Sequence, residues 1–175
     1  QDKGWTPADW AWIGGLMDLA LPCLYYGVPL VSYRQLKFDP EATFQFIAEH
    51  QIRNLFLPPT ALKLMRSYHM PAERLPVLSV RTIASGGEAL GSSLLEWARK
   101  TMNVEVNEIY GQTECNLVIC TDRSVDKTVP DGVMGKAVPG HKLCILTPDG
   151  HEAEIGDVGE IAVQAPDPVM FLGYW

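Results

Sequence analysis

The first 110 residues alternate between short apolar runs and amphipathic segments, and this alternation constrains the fold more than any other feature. The apolar runs are rich in β-branched residues and bounded by turn-forming or polar residues, which is typical of buried strands. Strands are predicted at residues 28–31, 54–57, 80–84 and 104–109. Helices are predicted at residues 9–26, from 40, from 60 and at 90–102. Such alternation predicts a parallel sheet with helices packed on its faces.

Local signals refine the predicted helices. Asp39 is expected to cap the second helix and Pro40 to occupy its first position, while Thr60 is expected to cap the third. Helical spacing predicts that the fourth helix buries Leu94, Leu95, Ala98 and Met102. The tryptophans Trp10, Trp12 and Trp97 are interpreted as core aromatics.

From about residue 130 the composition changes to glycines, prolines and short β-branched runs. A turn signal at 147–150 separates two candidate strands at 142–146 and 160–163. This predicts a β-meander or part of a small barrel. We therefore expect an α/β subdomain at 1–128 followed by a β-rich, barrel-like segment at 129–175, both packed into one unit.

Charge and composition exclude several classes of partner. Fourteen basic residues against twenty-one acidic ones give a net charge of −7, and no basic run occurs. Nucleic acid and anionic membrane surfaces are therefore not expected as partners. The most apolar stretch, 11–31, contains Asp18, prolines and glycines, which predicts a buried helix and strand rather than a stable membrane insertion.

Cysteine usage predicts a reducing compartment. Cys23, Cys115, Cys120 and Cys144 are scattered and lack zinc-site spacing, so we expect free thiols and a cytoplasmic location. The chain opens on Gln1 with no initiator methionine and no apolar leader. We therefore expect it to be an internal piece of a longer protein, and exposed sheet edges would then allow the isolated piece to self-associate.

Common catalytic signatures are missing from the sequence. The Walker A pattern, G-x-G-x-x-G, G-x-S-x-G and H-E-x-x-H do not occur. The four histidines are too dispersed to predict a metal site. Two loops that follow predicted strands remain as candidates, Ser85–Leu90 and Glu108–Glu114.

The two loops carry groups suited to a nucleotide. In the first, Gly86 and Gly87 allow close backbone approach to a ligand, although most such turns only connect a strand to a helix. In the second, an aromatic ring, a glycine, a hydroxyl and a carboxylate lie within five residues of one another. A planar base, a phosphate and a hard cation would suit these groups.

Here a specific resemblance emerges. Tyr110-Gly111-Gln112-Thr113-Glu114 resembles the Y-G-x-T-E signature of the adenylate-forming superfamily, which includes acyl-CoA synthetases. Similar matches flank it: the Gly86–Leu90 loop upstream, and 132–140, 156–161 and 171–175 downstream. The resemblance covers essentially the whole chain. The opening segment 6–15 is most similar to acetyl- and medium-chain acyl-CoA synthetases.

The resemblance implies roles for individual residues. It implies that Gly87, Glu88 and Ala89 border adenine and ribose, and that Tyr110 stacks on the base. It implies that Thr113 reaches the α-phosphate and that Glu114 holds magnesium, so these two residues are the catalytic candidates. The cofactor-binding residues predicted along the second loop are Glu108, Ile109, Tyr110, Gly111 and Gln112.

The resemblance also implies a two-step reaction. A carboxylic acid attacks the α-phosphate of Mg²⁺-bound ATP to give an acyl-adenylate, and coenzyme A then displaces AMP. The family's triphosphate loop should precede residue 1, while its ribose-binding aspartate and its catalytic lysine should follow residue 175. We therefore expect no turnover by the isolated chain.

Two alternative interpretations stay open on the sequence alone. The chain could be a non-catalytic module that binds AMP or an acyl-adenylate, or a bare structural subdomain in which the Tyr-Gly-Gln-Thr-Glu loop is only a turn. Trp12 could line an acyl channel instead of packing in the core. The identity of the acid is not predicted.

Overall fold

A computed structural model describes residues 2–33 and 35–175. These described residues form two sheets and five α-helices. The strands are β1 (Gly4–Trp5), β2 (Asn54–Phe56), β3 (Thr82–Gly86), β4 (Val106–Gln112), β5 (Asn116–Cys120), β6 (Lys136–Ala137), β7 (Leu143–Leu146) and β8 (Glu160–Val163). The helices are α1 (Ile13–Gly15), α2 (Leu21–Tyr25), α3 (Pro40–Glu49), α4 (Pro59–Ser67) and α5 (Ser92–Met102). A π-helical segment, Leu16–Ala20, joins α1 to α2, and a 3₁₀ turn spans Ala72–Arg74.

The larger sheet has six strands in the order β1-β2-β3-β4-β5-β6. The first four are parallel, and β5 and β6 continue the sheet in antiparallel fashion. Strands β7 and β8 pair with each other in a separate antiparallel sheet. The predicted α/β architecture with a β-rich portion is thus confirmed, and its sheet is mixed rather than wholly parallel.

The main core lies between the large sheet and helices α3, α4 and α5. Each helix contributes one apolar face, as helical spacing predicted. On α5 the four expected residues Leu94, Leu95, Ala98 and Met102 are all buried. Trp5 of β1, only 1% exposed, joins the same core, although the sequence singled out other tryptophans for this place.

The start of the chain differs from the prediction. Residues 9–12 form a turn, in which the amide of Ala11 donates to Asp9 Oδ1 at 2.9 Å and the amide of Trp12 donates to the Asp9 carbonyl at 3.0 Å. The helix therefore begins at Ile13 rather than at residue 9, and it is buried on one face only. Trp10 and Trp12 are 39% and 72% exposed, so their assignment to the core was wrong.

Two further local predictions need correction, and one strand was missed. The run at 28–31 makes a single bridge between Leu30 and Gly4 instead of a strand. Helix α4 is preceded by Pro58 and starts with Pro59, so Thr60 lies inside the helix and does not cap it. Strand β5 was not predicted. By contrast, Asp39 caps α3 by accepting from the amide of Ala42 at 3.0 Å.

Two other findings bear on the sequence predictions. No helix among residues 2–33 and 35–175 is long and apolar enough to cross a membrane. All four cysteines are free. The predicted boundary at 128/129 remains a prediction, and β6, which lies beyond that boundary, belongs to the six-stranded sheet.

Candidate functional site

A cleft of about 460 Å³ opens at the carboxyl edge of the parallel strands, where α/β folds usually place their ligands. One wall comes from the opening segment 8–18, and the other from the ends of β2, β3 and β4. Most of the lining is apolar or backbone. The lining residues are Ala8, Asp9, Trp12, Ile13, Gly14, Gly15, Asp18, Phe56, Pro58, Pro59, Gly86, Gly87, Glu88, Ile109, Gly111, Gln112, Asn116 and Leu117.

The glycine turn after β3 forms part of the rim. Gly87 has φ of +99°, a conformation that L side chains rarely adopt, and it lines the cleft. Glu88 also lines the cleft, and its Oε2 accepts from Lys63 Nζ of α4 at 2.6 Å. Ala89 is exposed and lies outside the lining.

The second predicted loop forms the end of β4, which turns back into β5. Ile109 and Gly111 face the cleft. After a register shift between Tyr110 and Gly111, Gln112 also lines the cleft, and its side-chain amide donates to the Tyr110 hydroxyl at 3.3 Å. A Cβ on Gly111 would lie 1.7 Å from the carbonyl oxygen of Asn116. The tight β4–β5 hairpin therefore requires glycine at this position.

Tyr110 and Glu108 face the other side of the sheet because side chains alternate along a strand. Tyr110 is half-buried against the cluster of Cys115, Val118 and Ile119. Glu108 is buried beside Ser85, its register partner on β3. The structure therefore separates the predicted nucleotide-binding residues into a cleft-facing set and a set behind β4.

Glu108 and Ser85 are buried polar residues without full pairing. Glu108 Oε2 and Ser85 Oγ have no hydrogen-bond partner among the residues that the structure describes. Burial raises the pKa of Glu108, and the Leu90 amide and the charge of Arg123 partly offset this effect. Unpaired buried acceptors are costly, so such a pair is typical of a site that a ligand completes.

Thr113 and Glu114 lie at the turn between the two faces. Thr113 is exposed. The Glu114 carboxylate accepts from the hydroxyl of Tyr174 at 2.5 Å, and the Glu114 carbonyl accepts from the amide of Phe171 at 2.8 Å. The Tyr174 hydroxyl holds the pKa of Glu114 below its usual value. The carboxylate is therefore ionised at neutral pH and open to solvent.

Sequence reasoning missed several residues of the cleft, and three of them bear on its chemistry. Phe56, at the end of β2, forms its floor, and a Cβ on Gly14 would lie 2.6 Å from the Phe56 ring. Asn116 adopts φ of +46°, and its buried Oδ1 has no partner within the described residues. Asp18 lies in the π-helical segment, where burial raises its pKa to about 6. A charged residue inside the most apolar stretch was the signal for Asp18.

Fold and site together define a class: an α/β domain with a ligand cleft at the carboxyl edge of its sheet, bordered by a glycine turn and a Tyr-Gly-Gln-Thr-Glu loop. Residues 1–175 match the family described as AMP-binding enzyme. The chain belongs to this family.

Known relatives carry related names. The chain is 30% identical over 181 residues to mouse acyl-CoA synthetase short-chain family member 3, mitochondrial, a match that covers 98% of the chain and 26% of that protein. It is 30% identical over 165 residues to the indoleacetate–CoA ligase of Aromatoleum aromaticum, covering 93% of the chain and 31% of that protein. The chain thus spans about a quarter to a third of the length of these curated relatives.

Solved structures share the fold. The acyl-CoA synthetase of Brucella canis superposes with a TM-score of 0.86 at 26% identity, over 97% of this chain and 31% of that one. The agreement extends over both sheets, because nearly the entire chain is covered. The resemblance predicted from the sequence motifs is therefore confirmed.

Proposed function

We propose that the chain is the nucleotide- and acid-binding part of an AMP-forming acid–thiol ligase. The enzyme would join a small carboxylic acid to ATP as an acyl-adenylate and then transfer the acyl group to coenzyme A. One observation carries the proposal: β4 presents a buried polar face on one side and an apolar cleft on the other. The two faces meet at the turn 112–114, where the acid and the α-phosphate would react.

The nucleotide base would bind behind β4. Glu108 Oε2, buried and unpaired within the described part of the chain, suits the exocyclic amino group of adenine, which donates hydrogen bonds. The half-buried Tyr110 ring offers a face for stacking. Gly87, Glu88 and Ala89 would border the base and ribose from the turn after β3.

Thr113 and Glu114 would meet the phosphates. A magnesium ion would be held by the ionised Glu114 together with phosphate oxygens and water, the usual arrangement for this metal. It would neutralise charge that develops on the α-phosphate during attack. Among residues 2–33 and 35–175 no cluster of three ligating side chains occurs, so the proposed ion would take a single protein ligand, Glu114.

The acid would lie in the cleft. Trp12, Ile13 and Phe56 supply apolar walls for the hydrocarbon part of the acid. Gly111, which has no side chain, leaves room for the carboxylate of the acid near the turn 112–114. Trp12 would then line an acyl channel, which is the alternative to a core position. The cytoplasmic location remains a prediction, since the mouse relative is named mitochondrial.

Substitution of Glu114 in the complete protein tests the assignment. We expect Glu114→Ala to lower acid-dependent ATP–pyrophosphate exchange by on the order of 100-fold or more, because a charge-stabilising group is lost from the transition state. Glu96→Gln is the matched control, since Glu96 lies on the exposed face of α5, where it pairs with Lys100.

Calorimetric titration separates the alternatives. Binding of ATP, AMP and a non-hydrolysable acyl-adenylate mimic, combined with loss of exchange in Glu114→Ala, would support the ligase. Binding of AMP without any exchange in the unmodified protein would favour a sensing module. Exchange that persists at saturating magnesium in Glu114→Ala would remove Glu114 from the mechanism.

A further inference from the structure

Asp18 is a carboxylate in an apolar setting that the proposed reaction does not use. It projects from the π-helical segment Leu16–Ala20 into the cleft, opposite the strand ends. Within the part of the chain that the structure describes, its side chain makes neither a hydrogen bond nor an ion pair. Its neighbours in the lining include Ile13, Gly14 and Phe56.

The charged residues in the described lining of the cleft are all acidic. Its charged lining residues are Asp9, Asp18 and Glu88, and the described lining contains no lysine, arginine or histidine. Glu88 is already compensated by Lys63 at the rim. Asp9 lies at the exposed mouth, where it accepts from the amide of Ala11. Asp18 is thus the one inner carboxylate of the described lining that lacks a counter-charge.

Asp18 lies far from the reacting end of the site. The π-helical segment packs against β1 and β2, whereas the turn 112–114 follows β4. Neighbouring strands are about 4.8 Å apart, so two strand spacings separate β2 from β4 by roughly 10 Å. A carboxylic acid that reacts at the turn would therefore direct its opposite end toward Asp18.

We propose that Asp18 binds a protonated amine at the distal end of the substrate, so that the cleft selects amino-substituted carboxylic acids over unsubstituted acids of the same length. The inference rests on the proposed function, because it assigns the cleft to the acid. Trp12, Ile13 and Phe56 would enclose the hydrocarbon part between the two charged ends. An acid with a second carboxylate would be repelled by Asp18.

The pH dependence follows from the groups around Asp18. Strands β1 and β2 carry no titratable side chain, α2 carries the buried thiol of Cys23, and the lining adds Asp9 and Glu88. Burial raises the pKa of Asp18 to about 6, so the carboxylate is mostly ionised at pH 7.5 and is neutralised below pH 6. Preference for the amine should therefore be strong at pH 7.5 and should weaken as the pH falls below 6.

Pairs of acids that differ only in the amine test the proposal. In the complete protein, acid-dependent pyrophosphate release is measured with 6-aminohexanoate against hexanoate, and with 4-(aminomethyl)benzoate against 4-methylbenzoate. Unmodified protein is expected to prefer the amines in kcat/KM by on the order of 30-fold or more, since an unpaired buried charge is costly. Asp18→Asn should abolish this preference mainly through KM.

A control variant far from the cleft shows whether the effect depends on the position of the carboxylate or only on the loss of one negative charge. Asp157→Asn removes the same charge from an exposed loop and should retain the preference for amines. Pyrophosphate release that favours the unsubstituted acids, or an unchanged preference in Asp18→Asn, would overturn the inference and leave the ligase function intact. No release with any acid, while ATP still binds, would overturn the proposed ligase and the inference together.

Discussion

Some side chains around the cleft lower the stability of the folded protein because, within the described part of the chain, they leave polar groups without partners at the binding surface. Asp18 is the clearest case, because its carboxylate loses water on folding and gains no partner among the described residues. Its pKa, about 6 in the folded protein, lies above the ordinary value of 3.8. The folded state therefore holds the proton more tightly than the unfolded chain. The contribution of Asp18 to stability is therefore largest below pH 3.8 and is lost as the pH rises through 6.

Asp18→Asn should remove this pH-dependent cost. We expect the variant to be more stable than the unmodified protein at pH 7.5 by about 1–2 kcal/mol, a value reduced from the full pKa shift to allow for partial exposure. The difference should shrink toward pH 4. Urea unfolding at pH 7.5 and 4 measures both values, with Asp157→Asn as the control. Equal stabilities at pH 7.5 would show that the Asp18 carboxylate is well solvated.

At the scale of elements, the residue at which a helix begins determines which side chains form the walls of the cleft. Helix α3 begins where its sequence signal predicts, because Asp39 can reach the amide of Ala42. In the opening segment Asp9 makes a similar contact, but the chain turns again before Ile13 and leaves Trp12 exposed at the cleft. The same capping chemistry thus starts a helix in one place and forms a wall turn in another.

The cap of α3 can be tested directly. Asp39→Ala should lower the free energy of unfolding by about 1 kcal/mol, because the Ala42 amide loses its acceptor. Asp39→Asn preserves an acceptor and should cost much less. Urea midpoints at pH 7.5 compare the three proteins. An Asn variant as unstable as the Ala variant would show that charge, rather than the hydrogen bond, stabilises the helix start.

On the scale of the whole molecule, several contacts join residues after position 128 to residues before it. Leu143, Ile161 and Val163 of β7 and β8 pack against the cluster that contains Val118 and Ile119 of β5. Separately, Arg99 of α5 donates two hydrogen bonds to Asp131, at 2.8 and 2.6 Å. These contacts cross the sequence boundary at 128/129, so we expect the two regions to unfold together.

Arg99→Ala should destabilise both regions in one transition. We expect a loss of about 1–2 kcal/mol, because a two-pronged ion pair with a half-buried aspartate is removed. Lys100→Ala, one residue along the same helix, removes an exposed pair and should have little effect. Hydrogen exchange of β5 and β7 amides measures the coupling. Separate unfolding of the β7–β8 sheet in Arg99→Ala would indicate two independent units.

Much of the fold was predictable because it depends on local chemistry. Apolar periodicity predicted α5 and its four buried residues, and short apolar runs bounded by turn signals predicted β2, β3, β4, β7 and β8 within a few residues. Strand β5 escaped prediction because it follows the loop motif directly and owes its conformation to pairing with β4. Trp10 and Trp12 were misassigned because hydrophobicity alone does not separate a core position from an exposed one or, for Trp12, from a cleft wall.

In the candidate site, too, some features follow from local sequence and others only from the tertiary structure. The sequence alone determined the alternating α/β order and the two loops, since both follow from propensities and motifs that act over a few residues. Only the tertiary structure decided that Tyr110 and Glu108 face one side of β4 while Ile109 and Gly111 face the other. It also brought Asp18 into the same cleft as Ile109, which lies more than ninety positions later in the chain. Sheet order and packing, not local sequence, determine which distant side chains meet.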